Sequence, residues 1–122
     1  MESKSSRPLK EALTNLDGAL KLYDERAKGD PLPFLTVSKA FEVAVEYGWR
    51  NLKSKVEDEG LDAPSPKTAV KEAARLMIIH DPEFWLKAIE ARNASVHDYF
   101  GIGEEEFISI AREFLRVAKT LA

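Results

Sequence analysis

The sequence predicts an all-α fold: an up-and-down bundle of four long helices and one short helix, in a single domain over residues 1–122. Three observations predict it. Apolar residues recur at steps of three and four in five successive segments. Gly- and Pro-containing breaks separate those segments. No segment alternates apolar and polar residues between hairpin turn signals, as a strand would.

The first seven residues are polar and read as a disordered tail. Leu9, Leu13, Leu16, Leu20 and Tyr23 then form one stripe of a first helix, which should stop near Lys28-Gly29. Asp30-Pro31-Leu32-Pro33 prevents its continuation. A longer second helix follows from about Phe34 to Glu59, with Phe34, Val37, Phe41, Val45, Trp49, Leu52 and Val56 expected in the core and Gly60 ending it. Ser65-Pro66 is an N-cap followed by Pro at the first helical position. It opens a short third helix running to about Ile79 and burying Val70, Ala73, Ala74 and Met77. Asp81-Pro82-Glu83 gives a similar start signal for a fourth helix, through Trp85 and Arg92 towards Tyr99. Gly101 and Gly103 interrupt the chain. Glu104, Glu105 and Glu106 then suit the positive end of a fifth helix that buries Phe107, Ile110, Ala111, Phe114, Ala118 and Leu121.

Composition removes several classes of function. The 122 residues include no Cys and two His, which excludes disulfide frameworks, thiolate metal sites, cysteine nucleophiles and multi-histidine cages. No run approaches the roughly 18 apolar residues of a membrane span, and the polar start lacks a signal-peptide core. A soluble, cytoplasmic protein with no membrane partner is expected. The formal charge of −3 argues against coating nucleic acid by bulk electrostatics. Binding RNA would require positive charge concentrated locally, for example at Arg50, Arg75, Lys87 and Arg92. Glu42 and Glu46 share a helix face, but acids four apart usually lie on a solvated face rather than hold a metal. Gly101-Ile102-Gly103 lacks the preceding strand and later Gly of a phosphate loop.

The fourth helix carries the unusual residues. Trp85, Arg92 and Tyr99 are seven apart, and Ile89 and Val96 fall on the same stripe. A charge among such neighbours is costly unless paired. Arg92 therefore either reaches the bundle surface or a carboxylate on another helix, or it faces a cleft where it awaits an anion. His97 lies five residues beyond Arg92, about 140° round a straight helix. The two would converge only if the helix ends near His97, or if two copies of the helix meet. Arg75 and His80 repeat the same separation with apolar residues between them, so spacing alone is not specific. His80 reads as a helix C-terminal residue.

The segment Arg92-Asn93-Ala94-Ser95-Val96-His97-Asp98-Tyr99 resembles the signature of the HEPN superfamily. More narrowly, it resembles the nucleotidyltransferase substrate-binding-protein-like group, which includes the toxins of HEPN/minimal nucleotidyltransferase toxin–antitoxin pairs. That signature is Arg, a polar residue, three variable residues, His, one variable residue and Tyr, and Arg92, Asn93, His97 and Tyr99 fill every named position. Phe41 to Leu52 is similar to the family's aromatic second helix, and Ser65-Pro66-Lys67 and Phe84-Trp85 stand in the matching places. The likeness runs from about Phe34 onward.

The resemblance implies a homodimer in which the Arg/His motifs of both subunits line one cleft. It implies metal-independent RNA cleavage without a cofactor. His97 would move protons while the neighbouring 2′-hydroxyl attacks, Arg92 would stabilise charge on the phosphate, and Asn93 would orient the His or hold substrate. It further implies a minimal nucleotidyltransferase encoded nearby, which neutralises the toxin by transferring AMP to Tyr99. Two other readings stand beside it. One is a non-catalytic subunit that presents substrate to a separate nucleotidyltransferase. The other is a plain helical dimerisation module.

Overall fold

A computed structural model of the chain describes residues 6–96 and 102–122. Five helices follow in order: α1 (Ser6–Asp24), α2 (Leu32–Asp58), α3 (Pro66–Arg75), α4 (Pro82–Val96) and α5 (Glu104–Ala118). Among the described residues no strand occurs, so the all-α expectation holds. The 27-residue α2 is the spine, and every other helix packs on it. Helices α1 and α5 flank one side, α3 and α4 the other, and α5 closes the bundle by touching α1 and α4.

The periodic stripes account for the core. Leu9, Leu13, Leu16, Leu20 and Tyr23 are all buried, as are all six apolar residues expected from α5 and the segment that follows it. Between α2, α4 and α5 the rings of Phe41, Phe107, Phe114 and Trp85 meet edge to face, with centroids 5.0 Å apart for Phe41–Phe107 and 5.1 Å for Trp85–Phe114. Gly48 of α2 lets those rings come close. A Cβ there would lie 2.9 Å from the tip of Phe114 and 3.2 Å from Trp85. Phe34 and Trp49, both expected inside, are only partly buried and flank this core.

Local chemistry fixes the helix ends, and here several expectations need correction. Helix α1 begins at Ser6, so Ser6 and Arg7 are helical rather than part of a tail. It ends at Asp24, short of Lys28, because Arg26 folds back on the last turn. Its Nη1 donates to the Tyr23 carbonyl at 2.8 Å, and its guanidinium stacks 3.7 Å from the Tyr23 ring centre. Helix α2 closes in a Schellman motif: Leu61 N–H donates to the Val56 carbonyl, Gly60 N–H donates to Glu57, and Gly60 has φ +85.

Helix α3 opens as expected. The Ser65 hydroxyl accepts from Thr68 N–H at 3.2 Å, and Thr68 Oγ1 accepts from Ser65 N–H at 3.0 Å. Its end differs. The helix stops at Arg75, and the same Schellman pattern recurs, with Ile78 N–H donating to Ala73 and Met77 N–H to Ala74. Met77 occupies the left-handed position with φ 62 and is 72% exposed, so it is not a core residue. His80 consequently lies in the loop before α4 rather than at a helix C-terminus.

Candidate functional site

Helix α4 carries the predicted motif on the flank of α2. Trp85, Ala88, Ile89 and Ala91 bury one face of α4, so the first half of the Trp85–Ile89–Arg92 stripe points into the core rather than a cleft. Arg92 comes one turn later, where that face reaches the surface, and its side chain is 20% exposed. Its Nη1 sits 3.4 Å from Glu46 Oε2 on α2, which is the interhelix pairing the stripe required. Among the described residues, its Nε is buried without a hydrogen-bond acceptor.

Glu46, expected from the sequence on a solvated face, is the centre of the cluster. Its Oε2 also accepts from the Trp49 indole N–H at 3.0 Å, and its Oε1 pairs with Arg50 Nη2 at 2.9 Å. Three donors from two helices thus converge on one carboxylate. The clue was present in the i, i+3, i+4 spacing of Glu46, Trp49 and Arg50. The Arg92 partnership, by contrast, exists only once α4 packs on α2. Glu42, the other acid of that face, pairs with Lys39 at 3.5 Å.

Beside this cluster, Ser95 Oγ lies 2.7 Å from Ser38 Oγ and fastens the end of α4 to α2. Asn93 is exposed, one position round the helix from Arg92. His97 and Tyr99 lie outside the described residues. At the start of α5, Glu104 accepts a hydrogen bond of 2.8 Å from the buried Tyr23 hydroxyl. That bond holds the Tyr23 phenol above its ordinary pKa. The Arg112 guanidinium against Asp24 holds that carboxyl below its ordinary pKa.

The basic residues named from the sequence part company. Arg50 joins Arg92 at Glu46, whereas Arg75 pairs with Glu72 at 3.2 Å and Lys87 lies 4.0 Å from Glu106. Two grooves adjoin α2. One, of about 750 Å³, is apolar and lies between α1 and the first half of α2, with Leu22, Leu32 and Leu35 exposed along it. The other, of about 540 Å³, follows the second half of α2 and is lined by Tyr47, Trp49, Arg50, Lys53 and Ser54. Among the described residues no three His, Asp or Glu side chains group as metal ligands, and no helix is long and apolar enough to cross a membrane.

Residues 5–122 match the family described as nucleotidyltransferase substrate binding protein like, the HEPN-like helical group. The chain belongs to that family. A crystal structure from Thermus thermophilus is similar in fold to this family member. The two share 21% sequence identity at a TM-score of 0.78, over 93% of this chain and 94% of the other. No curated protein matches the chain. The family description associates the chain with a nucleotidyltransferase.

Proposed function

We propose that this protein is the HEPN-type partner of a minimal nucleotidyltransferase, and that it acts as a toxin by cleaving RNA without a metal ion. The site is Arg92 and His97 at a cleft between two copies of the chain. His97 takes the proton from a ribose 2′-hydroxyl as its oxygen attacks the adjacent phosphorus. The P–O5′ bond breaks, the departing oxygen receives a proton, and the products end in a 2′,3′-cyclic phosphate and a 5′-hydroxyl. Arg92 stabilises the charge that builds on the phosphoryl oxygens, and Asn93 orients the imidazole or the substrate. The partner enzyme silences the site by transferring AMP from ATP to Tyr99: the phenolic oxygen, losing its proton, bonds to the α-phosphorus as the α–β phosphoanhydride bond breaks and pyrophosphate leaves. The added phosphate then competes for the same guanidinium.

The observation that carries this reading is the state of Arg92. It is a guanidinium at the edge of the core, whose buried Nε has no acceptor among the described residues, in a motif whose named positions are all filled. Two measurements test it. His97→Ala should abolish growth inhibition on expression while leaving the helical content intact; unchanged inhibition contradicts the catalytic role. After incubation with the nucleotidyltransferase and ATP, the intact mass should rise by one AMP, and Tyr99→Phe should prevent it.

A second reading has one specific observation in its favour. Glu46 already neutralises Arg92, which suits a subunit that presents substrate to the nucleotidyltransferase without doing chemistry itself. Under that reading, the mass stays unchanged.

A further inference from the structure

We propose that the groove along the second half of α2 binds a nucleotide unit, an aromatic base with its phosphate, and that Glu46 occupies the phosphate position until the ligand arrives. The volume of about 540 Å³ lies within the range of small-ligand sites. Its walls combine two partly buried rings, Tyr47 and Trp49, with the cations of Arg50 and Lys53, the hydroxyl of Ser54 and the carboxylate of Glu57, which pairs with Lys53 at 3.4 Å. Aromatic platforms beside a basic track are how proteins hold single strands without reading sequence, since every base offers a π face.

The groove and the Arg92 cluster are one continuous feature. Glu46, Arg50, Lys53 and Glu57 follow one another along a single face of α2, and Trp49 and Arg50 belong to both groove and cluster. The indole N–H of Trp49 and the guanidiniums of Arg50 and Arg92 aim at one point, where the Glu46 carboxylate now stands. Charge-assisted donors from an indole and two Arg make a phosphate site, and a carboxylate is the side-chain group nearest to phosphate in charge and geometry. On that face Arg50 and Lys53 balance Glu46 and Glu57, and Arg92 of α4 adds a positive excess, on a chain whose total charge is −3. From Glu46 to Lys53 the helix rises about 10 Å, enough to hold two successive phosphates of an extended strand. The placement of this subsite beside a cleaved bond rests on the proposed ribonuclease reading. Binding itself does not.

The test therefore uses an RNA that cannot be cleaved through its 2′-hydroxyls. Trp49 is the partly buried one of the two tryptophans, so indole fluorescence reports on the groove. The intact chain is titrated with a mixed-sequence 2′-O-methyl RNA octamer and, separately, with AMP. Saturable quenching by the octamer alone identifies a strand as the occupant, and quenching by AMP as well identifies a free nucleotide as sufficient. The Arg50→Ala/Lys53→Ala double variant, checked for intact helical content because Lys53 also donates to the Ala63 carbonyl, should raise the dissociation constant at least tenfold. Lys28→Ala, in the loop that precedes α2, should leave it unchanged. Quenching by neither ligand, or equal affinity in the double variant, overturns the proposal. Binding without cleavage of ordinary RNA leaves this subsite standing and removes the ribonuclease reading instead.

Discussion

Arg92 of α4 and Glu46 of α2 lie 3.4 Å apart at the edge of the core, and the same carboxylate receives Trp49 and Arg50. An ion pair at a half-open site is worth little by itself when solvent screens it. Its importance here is competitive. An anion held jointly by Trp49, Arg50 and Arg92 must displace Glu46. Glu46→Gln keeps the acceptor for Trp49 but removes the competing charge. The 2′-O-methyl octamer should bind this variant severalfold tighter, with a steeper dependence on salt; weaker binding would show that Glu46 holds Arg92 in place rather than standing in for the ligand.

Gly48 and Gly18 form a matched pair. A methyl group at Gly48 meets Phe114 at 2.9 Å and Trp85 at 3.2 Å, so those rings must shift, whereas nothing lies within 4 Å at Gly18. Gly48→Ala gains about 1 kcal/mol of helix propensity but loses about 1–3 kcal/mol to overpacking, so a net loss of about 1 kcal/mol is expected. Gly18→Ala should stabilise by about 0.5–1 kcal/mol. Urea unfolding followed by circular dichroism measures both.

Met77 supplies the left-handed backbone of the α3 cap, but its side chain gains little there, being 72% exposed. Met77→Gly should stabilise the fold by up to about 1 kcal/mol, because the left-handed conformation costs a side-chain-bearing residue about that much. Thermal unfolding reads it as a rise of a few degrees.

The Tyr23–Glu104 bond has a defined pH signature. The folded-state pKa of Tyr23 is raised, so its contribution to stability is fully present below the phenol's ordinary value of 10.0 and is lost as pH rises through the folded value. Asp24 behaves oppositely: its folded pKa is lowered, and its contribution disappears as pH falls below the ordinary 3.8 through the folded value. Tyr23→Phe should remove part of the alkaline loss of stability and leave the acid limb unchanged, as urea unfolding across the pH range would show.

The proposed site predicts a dimer, in which one copy's His97 complements the other's Arg92. Light scattering at micromolar concentration should give twice the chain mass. A monomer would remove the composite site.

Much of this structure is legible before folding, and the misses have physical causes. The apolar stripes of α1 and α5 are buried almost residue for residue, since a period of 3.6 leaves few alternatives. Helix ends fared less well. The segment Leu76-Met77-Ile78-Ile79 continues the apolar pattern through a turn, and only backbone hydrogen bonding shows that Met77 is the capping residue. Arg26 meets the end of α1 through a side-chain bond to the Tyr23 carbonyl, a common device whose position the apolar pattern does not mark. Arg92 was visible as an anomaly, because a charge on an apolar stripe demands a partner. That partner's identity depends on how α4 crosses α2.

The most direct measurement is cleavage of single-stranded RNA in the presence of EDTA, comparing the wild-type protein with Arg92→Ala and His97→Ala. The wild-type protein should give products ending in 2′,3′-cyclic phosphate. Cleavage should fall at least 100-fold in both variants, in line with the usual contribution of a general acid–base group of about 10²–10⁴. Absence of cleavage by the wild-type protein, or equal cleavage by the His97→Ala variant, would contradict ribonuclease action at this site.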